Sequence, residues 1–180
     1  MYKLLILLIA IILIASTPAL AYQSLQILFS EAESQGGYDK YIELDPGIEY
    51  LGDLRIGSGL NVYLNGNGAK VYAQNNNLIH IGVTGSNLDI QNCILIGGLG
   101  GIYFVNEASG TIKNNSISGC IDTGIKIMYP NLGAGTYVYD NIVTDCCYGF
   151  YCVEGEHPAY LGYNTIYDAF RYRYAEFCPS

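Results

Sequence analysis

The chain has 180 residues and a formal net charge of −8; 51% of its residues are hydrophobic and only 13% are charged. Eight Lys and Arg residues against sixteen Asp and Glu residues argue against nucleic-acid binding, because phosphate contacts need clustered cations, and against direct binding of an anionic polysaccharide unless a cation such as calcium bridges the two. With 22 glycines, 18 tyrosines and no tryptophan, the composition is typical of an all-β protein.

Residues 1–21 are predicted to be an export signal. Lys3 provides a positive start, the run Leu4–Ala15 is apolar throughout, and Ala19-Leu20-Ala21 has the small-x-small pattern of a signal peptidase site. The run has twelve residues, whereas roughly 20 are needed to span a bilayer. We therefore expect cleavage after Ala21 and a secreted protein, extracellular or at the cell surface, that meets the membrane only through its export signal.

Residues 22–40 are predicted to form an N-terminal cap. The segment from Ser24 to Gln35 has the apolar spacing of a short amphipathic helix, and Gly36-Gly37 would end that helix. Such a helix could cover the first turn of a β-structure, whose apolar side chains and strand edges would otherwise face water.

From residue 41 onward the chain shows strand and turn signals, and after Leu88 it repeats. Four aligned apolar positions recur at spacings of 22, 26 and 23 residues: Ile90, Ile112, Val138 and Leu161. A second apolar element follows in each of the first three repeats, and each is introduced by a glycine: Gly101, Gly124 and Gly149. Short apolar-x-apolar strands separated by Asn and Gly corners predict a solenoid whose coils stack at about 4.8 Å.

Asparagine recurs at one corner of these repeats, at Asn115, Asn141 and Asn164, while Cys93 takes the same position in the first repeat. Stacked coils would let each Asn amide bond the equivalent group above and below. An antiparallel β-sandwich also has short strands at regular spacing, but it gives no reason for equivalent asparagines at long, nearly constant spacing. The solenoid is therefore favoured.

The chain resembles the pectin lyase-like superfamily. The resemblance rests on the capping helix, the segment from Leu44 to Tyr50, the segment Leu64-Asn65-Gly66-Asn67-Gly68 and the Asn-centred coils, and it covers nearly all of the mature chain. It implies that residues 41–180 form an all-β, single-stranded right-handed parallel β-helix of about six or seven coils. Its members include pectate lyases, polygalacturonases, alginate lyases, phage tailspikes and surface proteins without known activity, so the resemblance implies a fold rather than an activity.

A lyase of this fold implies a calcium site of several carboxylates beside an Arg or Lys that abstracts a proton. Lys126, on the outward side of a predicted strand, is the candidate base. Asp145 and Asp168 each lie four residues after a ladder Asn, so they would stack about one strand spacing apart and could share a proton or a calcium ion.

The polygalacturonase signatures are absent. Apart from calcium in a lyase, no cofactor is predicted, and neither His80 nor His157 has zinc-site spacing from a cysteine pair.

Outward tyrosines give a different prediction. Strand alternation predicts outward rings that could stack on sugars or pack against another protein: Tyr103, Tyr139, Tyr151 and Tyr163.

Six cysteines in an exported chain favour disulfides. Cys120 and Cys146 each lie five residues after a ladder Asn, so stacking would bring them within bonding reach. Cys178 could pair with Cys147 or Cys152, and Cys93 is expected to be a buried free thiol.

Three hypotheses follow for the function. The first is a non-catalytic exported β-helix that binds polysaccharide or partner proteins. The second is a small polysaccharide lyase or glycoside hydrolase that acts near Lys126, Asp145 and Asp168. The third is a structural surface subunit that stacks end to end. The sequence leaves the ligand and the oligomeric state open.

Overall fold

A computed structural model describes residues 22–57, 59–73, 75–128, 135–152 and 158–175. The predicted export signal, residues 1–21, and the disulfide candidate Cys178 lie outside these residues. The described chain forms one short helix, α1 (Leu25–Glu31), and strands that belong to three sheets.

The strands of each sheet are neighbours in space but are separated in sequence by one coil. Sheet A contains β2 (Lys40–Glu43), β5 (Asn61–Asn65), β8 (Asn87–Gln91), β11 (Ser109–Lys113), β14 (Thr136–Tyr139) and β17 (Tyr160–Gly162). Sheet B contains β1 (Gln23–Ser24), β3 (Glu49–Leu51), β6 (Lys70–Ala73), β9 (Ile94–Gly97), β12 (Ser116–Ser118), β15 (Ile142–Thr144) and β18 (Thr165–Tyr167). Sheet C contains β4 (Leu54–Ile56), β7 (Ile79–Ile81), β10 (Ile102–Phe104), β13 (Thr123–Ile127), β16 (Tyr148–Cys152) and β19 (Tyr172–Ala175).

All strand pairings within these three sheets are parallel. Each coil passes from sheet A to sheet B and then to sheet C, so a strand pairs with its equivalent one coil later. The predicted all-β parallel β-helix is therefore confirmed, and it has about six turns.

Side-chain alternation places the core inside the solenoid. In β5, Val62 and Leu64 are buried, whereas Tyr63 between them lies on the outer face. The register stacks Leu64 against Ile90 on the next coil, and Ile90 against Ile112 on the one after. Successive coils thereby bury one continuous column of apolar side chains, which no single coil could bury alone.

The asparagines at 115, 141 and 164 form one column at the corner between sheets A and B. The Asn115 amide donates to Asn141 Oδ1 at 3.1 Å, and the Asn141 amide donates to Asn164 Oδ1 at 2.9 Å. Cys93 occupies the same corner, where its backbone N–H donates to Asn115 Oδ1 at 3.0 Å. The column thus satisfies main-chain groups of neighbouring coils as well as the side-chain amides.

The residue just before this corner is left-handed in each of the four repeats. Asn92, Asn114, Asp140 and Tyr163 have φ values of 56, 54, 57 and 55°. Asn and Asp tolerate this conformation better than other residues with a side chain, because their short polar groups can bond locally. Tyr163 is the bulky exception, and its ring projects into solvent with 82% exposure.

The N-terminal helix is shorter than the predicted segment from Ser24 to Gln35. It ends at Glu31, because Ala32 has an extended backbone with ψ of 138°. The Lys40 ammonium donates to the carbonyls of Ser30 and Ala32, at 3.1 and 2.6 Å, and so binds the carbonyl end of the helix. Leu25 and Phe29 of α1 are buried in the core, as expected of a cap.

Candidate functional site

The outer face of sheet A carries a pocket of about 140 Å³, here called the tyrosine pocket. Its lining residues come from five successive coils: Tyr38, Tyr63, Asp89, Ile90, Gln91, Thr111, Lys113 and Tyr139. All but Tyr38 belong to strands of sheet A, and all of these except Ile90 point outward by strand alternation. The rigid sheet therefore holds the site.

Three packed tyrosine rings close the pocket toward the N-terminus of the solenoid. The rings of Tyr41 and Tyr63 stack with centroids 4.8 Å apart and an interplanar angle of 18°. Tyr38 leans across them, with its ring centroid 5.2 Å from that of Tyr63. Such contacts between rings fix aromatic side chains at low entropic cost. The wall is consequently a preformed feature of the surface.

Asp89 lines the pocket, and its carboxylate accepts two hydrogen bonds from within the protein. The Tyr38 hydroxyl donates to Asp89 Oδ2 at 2.7 Å, and the Thr111 backbone N–H donates to Asp89 Oδ1 at 2.9 Å. The bond to the carboxylate raises the pKa of Tyr38 to about 12. Tyr38 therefore remains a hydroxyl donor at neutral pH and holds the carboxylate in place.

Gln91 and Lys113 form the polar side of the pocket. The Gln91 amide donates to the Tyr63 hydroxyl at 2.7 Å, and burial raises the pKa of Tyr63. Lys113 lies beside Gln91 in the sheet register and is half-buried. Within the part of the chain that the structure describes, the Lys113 ammonium has neither a salt bridge nor a hydrogen bond. It is a cation available to a ligand.

Tyr139 closes the pocket toward the C-terminus. It lies beside Lys113 in the register, and its ring meets Tyr160 edge to face with centroids 6.0 Å apart. Of the four tyrosines predicted to bind a ligand, Tyr139 is the one that lines this pocket.

Sequence reasoning missed Tyr38, Tyr63, Asp89 and Gln91 as site residues. Tyr63, Asp89 and Gln91 lie at outward positions of β5 and β8. Strand alternation could therefore have indicated that their side chains face outward. Tyr38 precedes β2 and reaches Asp89 across 51 residues of sequence. No local pattern encodes that contact.

The other predicted binding tyrosines lie elsewhere. Tyr103 and Tyr151 point outward on sheet C, on either side of Lys126. The Lys126 ammonium lies over both rings, 5.2 and 5.0 Å from their centroids. Tyr103 is only 7% exposed, and its hydroxyl donates to Asp122 at 2.7 Å. The expectation of an open ring at Tyr103 is therefore corrected, because the lysine and Asp122 cover it.

The residues predicted for catalysis lie on different elements: Lys126 is on β13 of sheet C, and Asp145 and Asp168 follow β15 and β18 of sheet B. Lys126 has Asp122 as its ion-pair partner, at 3.8 Å, and its side chain is 21% exposed. Asp145 and Asp168 occupy the same corner of adjacent coils, with φ values of 53 and 51°, and both are exposed. Asp145 accepts a hydrogen bond from the Thr144 hydroxyl at 3.0 Å. Left-handed corners account for both aspartates.

The described residues do not supply the calcium site that a lyase resemblance implies. Within them, no three carboxylate, imidazole or thiol groups converge closely enough to hold a metal ion. Among the same residues, no helix has the length and apolar character needed to cross a membrane.

The described cysteines are all thiols in the structure: Cys93, Cys120, Cys146, Cys147 and Cys152. Cys93 is buried, as expected, and burial raises its pKa to about 12. Cys120 and Cys146 are buried at equivalent positions of adjacent coils. The Cys120 thiol donates to the Gly97 carbonyl at 3.7 Å and the Cys146 thiol to the Thr144 carbonyl at 3.2 Å. The neighbouring Cys146 thiol and burial raise the pKa of Cys120. The predicted disulfide partners are thus adjacent but unbonded.

The geometry defines the class of protein: a single-stranded parallel β-helix of three sheets, with the tyrosine pocket on the outer face of sheet A. A protein-family profile described as right handed beta helix region matches residues 57–172. The chain therefore belongs to the right-handed β-helix family, and the handedness expected from the pectin lyase-like resemblance is confirmed. We found no match among curated proteins and none among solved structures.

Proposed function

We propose that the protein is exported and binds a polysaccharide or another glycan, without transforming it, through the tyrosine pocket. The observation that carries the proposal is the combination of Tyr63 and Tyr139 rings with the polar groups of Asp89, Gln91 and Lys113 in one pocket. Aromatic faces cover the apolar side of a sugar ring, while carboxylate, amide and ammonium groups bond its hydroxyls.

The pocket favours binding over hydrolysis. Glycoside hydrolysis needs a pair of carboxyl groups about 5 to 9.5 Å apart on either side of the bond. The lining residues contribute a single carboxylate, Asp89, and two donors already engage it. An assay for reducing ends and unsaturated products, with and without calcium, tests the catalytic alternative. Turnover would overturn the proposal that the protein binds the glycan without transforming it.

We expect Tyr63→Ala to weaken binding to any glycan that the wild-type protein retains. The substitution removes a ring that lines the pocket and a hydroxyl that accepts a hydrogen bond from Gln91. We therefore expect a loss of about tenfold in affinity. Affinity electrophoresis over a panel of polysaccharides would find the ligand, and calorimetry would measure the loss.

Tyr167→Ala is the matched control for that measurement. Tyr167 is 44% exposed on sheet B and lies outside the tyrosine pocket. Equal losses for the two variants would show that binding does not use this pocket. If no glycan of the panel binds the wild-type protein, the proposed function is wrong.

We further propose that export oxidises Cys120 and Cys146 to a disulfide between adjacent coils. Both thiols lose a hydrogen and the electrons pass to a dithiol–disulfide oxidant of the export compartment. Protein recovered from an oxidising compartment should therefore be at least two hydrogens lighter than its reduced form by intact mass. Cys120→Ser should make the difference two hydrogens smaller and Cys93→Ser should leave it unchanged; a Cys120→Ser protein with the full wild-type difference would contradict the pairing.

A further inference from the structure

We infer that the tyrosine pocket takes a single sugar unit at the end or branch tip of a glycan, and that this unit carries one anionic group, which meets Lys113. The inference deepens the proposed function and rests on it.

The size follows from the volume and the walls of the pocket. Its volume of about 140 Å³ is well below the roughly 300–1,000 Å³ of pockets that hold drug-sized ligands. Tyr63 on β5 and Tyr139 on β14 bound it, and three strand spacings, about 14 Å, separate those two strands. A polymer that ran along the solenoid would have to pass over both tyrosine walls. One terminal ring needs no such path.

The charge of the ligand is inferred from the two charged groups in the pocket, because Asp89 has partners within the protein and Lys113 has none in the described chain. Asp89 accepts from the Tyr38 hydroxyl and from the Thr111 backbone, so its charge is stabilised within the protein. Lys113 is a half-buried residue between Gln91 and Tyr139 in the register, and within the described chain it has no ion-pair partner. A lysine without an ion-pair partner in a pocket is best satisfied by an anion on the ligand.

The charge of the whole protein agrees with a single anionic unit rather than an anionic polymer. The formal net charge is −8, so a long polyanion would be repelled by most of the surface. A carboxylate or sulfate on one terminal sugar would meet only the local field of Lys113. An otherwise neutral glycan with an acidic end is therefore the class of ligand that fits.

The test uses the full chain and defined small probes. Calorimetry would compare methyl glycosides of glucuronic, galacturonic and mannuronic acid with their neutral counterparts and with glucose 6-sulfate. It would also compare the tightest monosaccharide with a hexasaccharide of the same unit. We expect at least one acidic monosaccharide to bind about tenfold more tightly than its neutral counterpart, and its hexasaccharide to gain less than about threefold. The carboxylate and sulfate probes identify which anion is preferred.

Lys113→Met should abolish the preference for the acidic probe over its neutral counterpart. Lys70→Met is the matched control, because Lys70 is an exposed cation on sheet B. Equal affinity for acidic and neutral probes, or a hexasaccharide that binds more than about tenfold tighter than the monosaccharide, would overturn the inference and leave the proposed function intact. If monosaccharides fail to bind while a polysaccharide is retained, the single-unit site is likewise wrong.

Discussion

Asn141→Ala is expected to lower the free energy of unfolding by about 4 kcal/mol. Asn141 is 1% exposed and forms the middle of the asparagine column. Its amide donates to Asn164 Oδ1 and to the Ile112 carbonyl, both at 2.9 Å, and its Oδ1 accepts from the Asn115 backbone N–H at 3.0 Å. Alanine would leave the Asn115 N–H and the Ile112 carbonyl without this partner, whereas Asn164 Oδ1 would still accept from the backbone N–H of residue 141. Each unpaired group costs roughly 1–3 kcal/mol.

Urea titration followed by circular dichroism would measure this loss. It is a large share of the roughly 5–15 kcal/mol that a domain usually has. Asn75→Ala is the control, because Asn75 is exposed and should change the free energy by less than about 0.5 kcal/mol. A loss at Asn141 no larger than that of the control would show that the column does not hold the coils together.

Gly101→Ala is expected to destabilise the solenoid by about 3 kcal/mol. Gly101, Gly124 and Gly149 are stacked at the corner that leads into sheet C. A Cβ at Gly101 would overlap the Gly124 carbonyl oxygen and would lie 2.8 Å from Ile117 Cγ2. The Gly124 carbonyl oxygen belongs to the backbone, so this overlap can be removed only if the two coils move apart. Thermal unfolding would report the loss as a lower midpoint.

Gly57→Ala is the matched control for this steric argument. A Cβ at Gly57 would meet only Val83 Cγ2, at 3.4 Å, which is an ordinary contact. We expect its midpoint to stay within a few degrees of the wild-type value. If Gly101→Ala also unfolds at the wild-type temperature, the coils are not in close contact at this corner.

The repeat predicted most of the fold because its signals are residue types at recurring spacings in the sequence. One corner is indicated by three asparagines, Asn115, Asn141 and Asn164. The entry to the following strand is indicated by three glycines, Gly101, Gly124 and Gly149. The end of the helix was the error: the predicted segment continued to Gln35, but Lys40 binds the carbonyls of Ser30 and Ala32 and the chain leaves the helix there.

The site was predicted less well because an outward position does not tell whether a side chain is open to solvent. Tyr103 and Tyr139 both alternate outward in their strands. Lys126 and Asp122 cover the first, whereas the second borders a pocket. The difference lies in the neighbours on adjacent coils, which alternation within one strand does not show.

The amino-acid sequence by itself determined the parallel solenoid, its inward columns and its Asn and Gly corners, because strand alternation and coil length act on short stretches that recur along the chain. Only the tertiary structure decided where a ligand could bind. The coils differ in length, so the register between sheets sets which outward side chains become neighbours. It brings Tyr38 to Asp89 and leaves Lys113 without a counter-charge in the described chain.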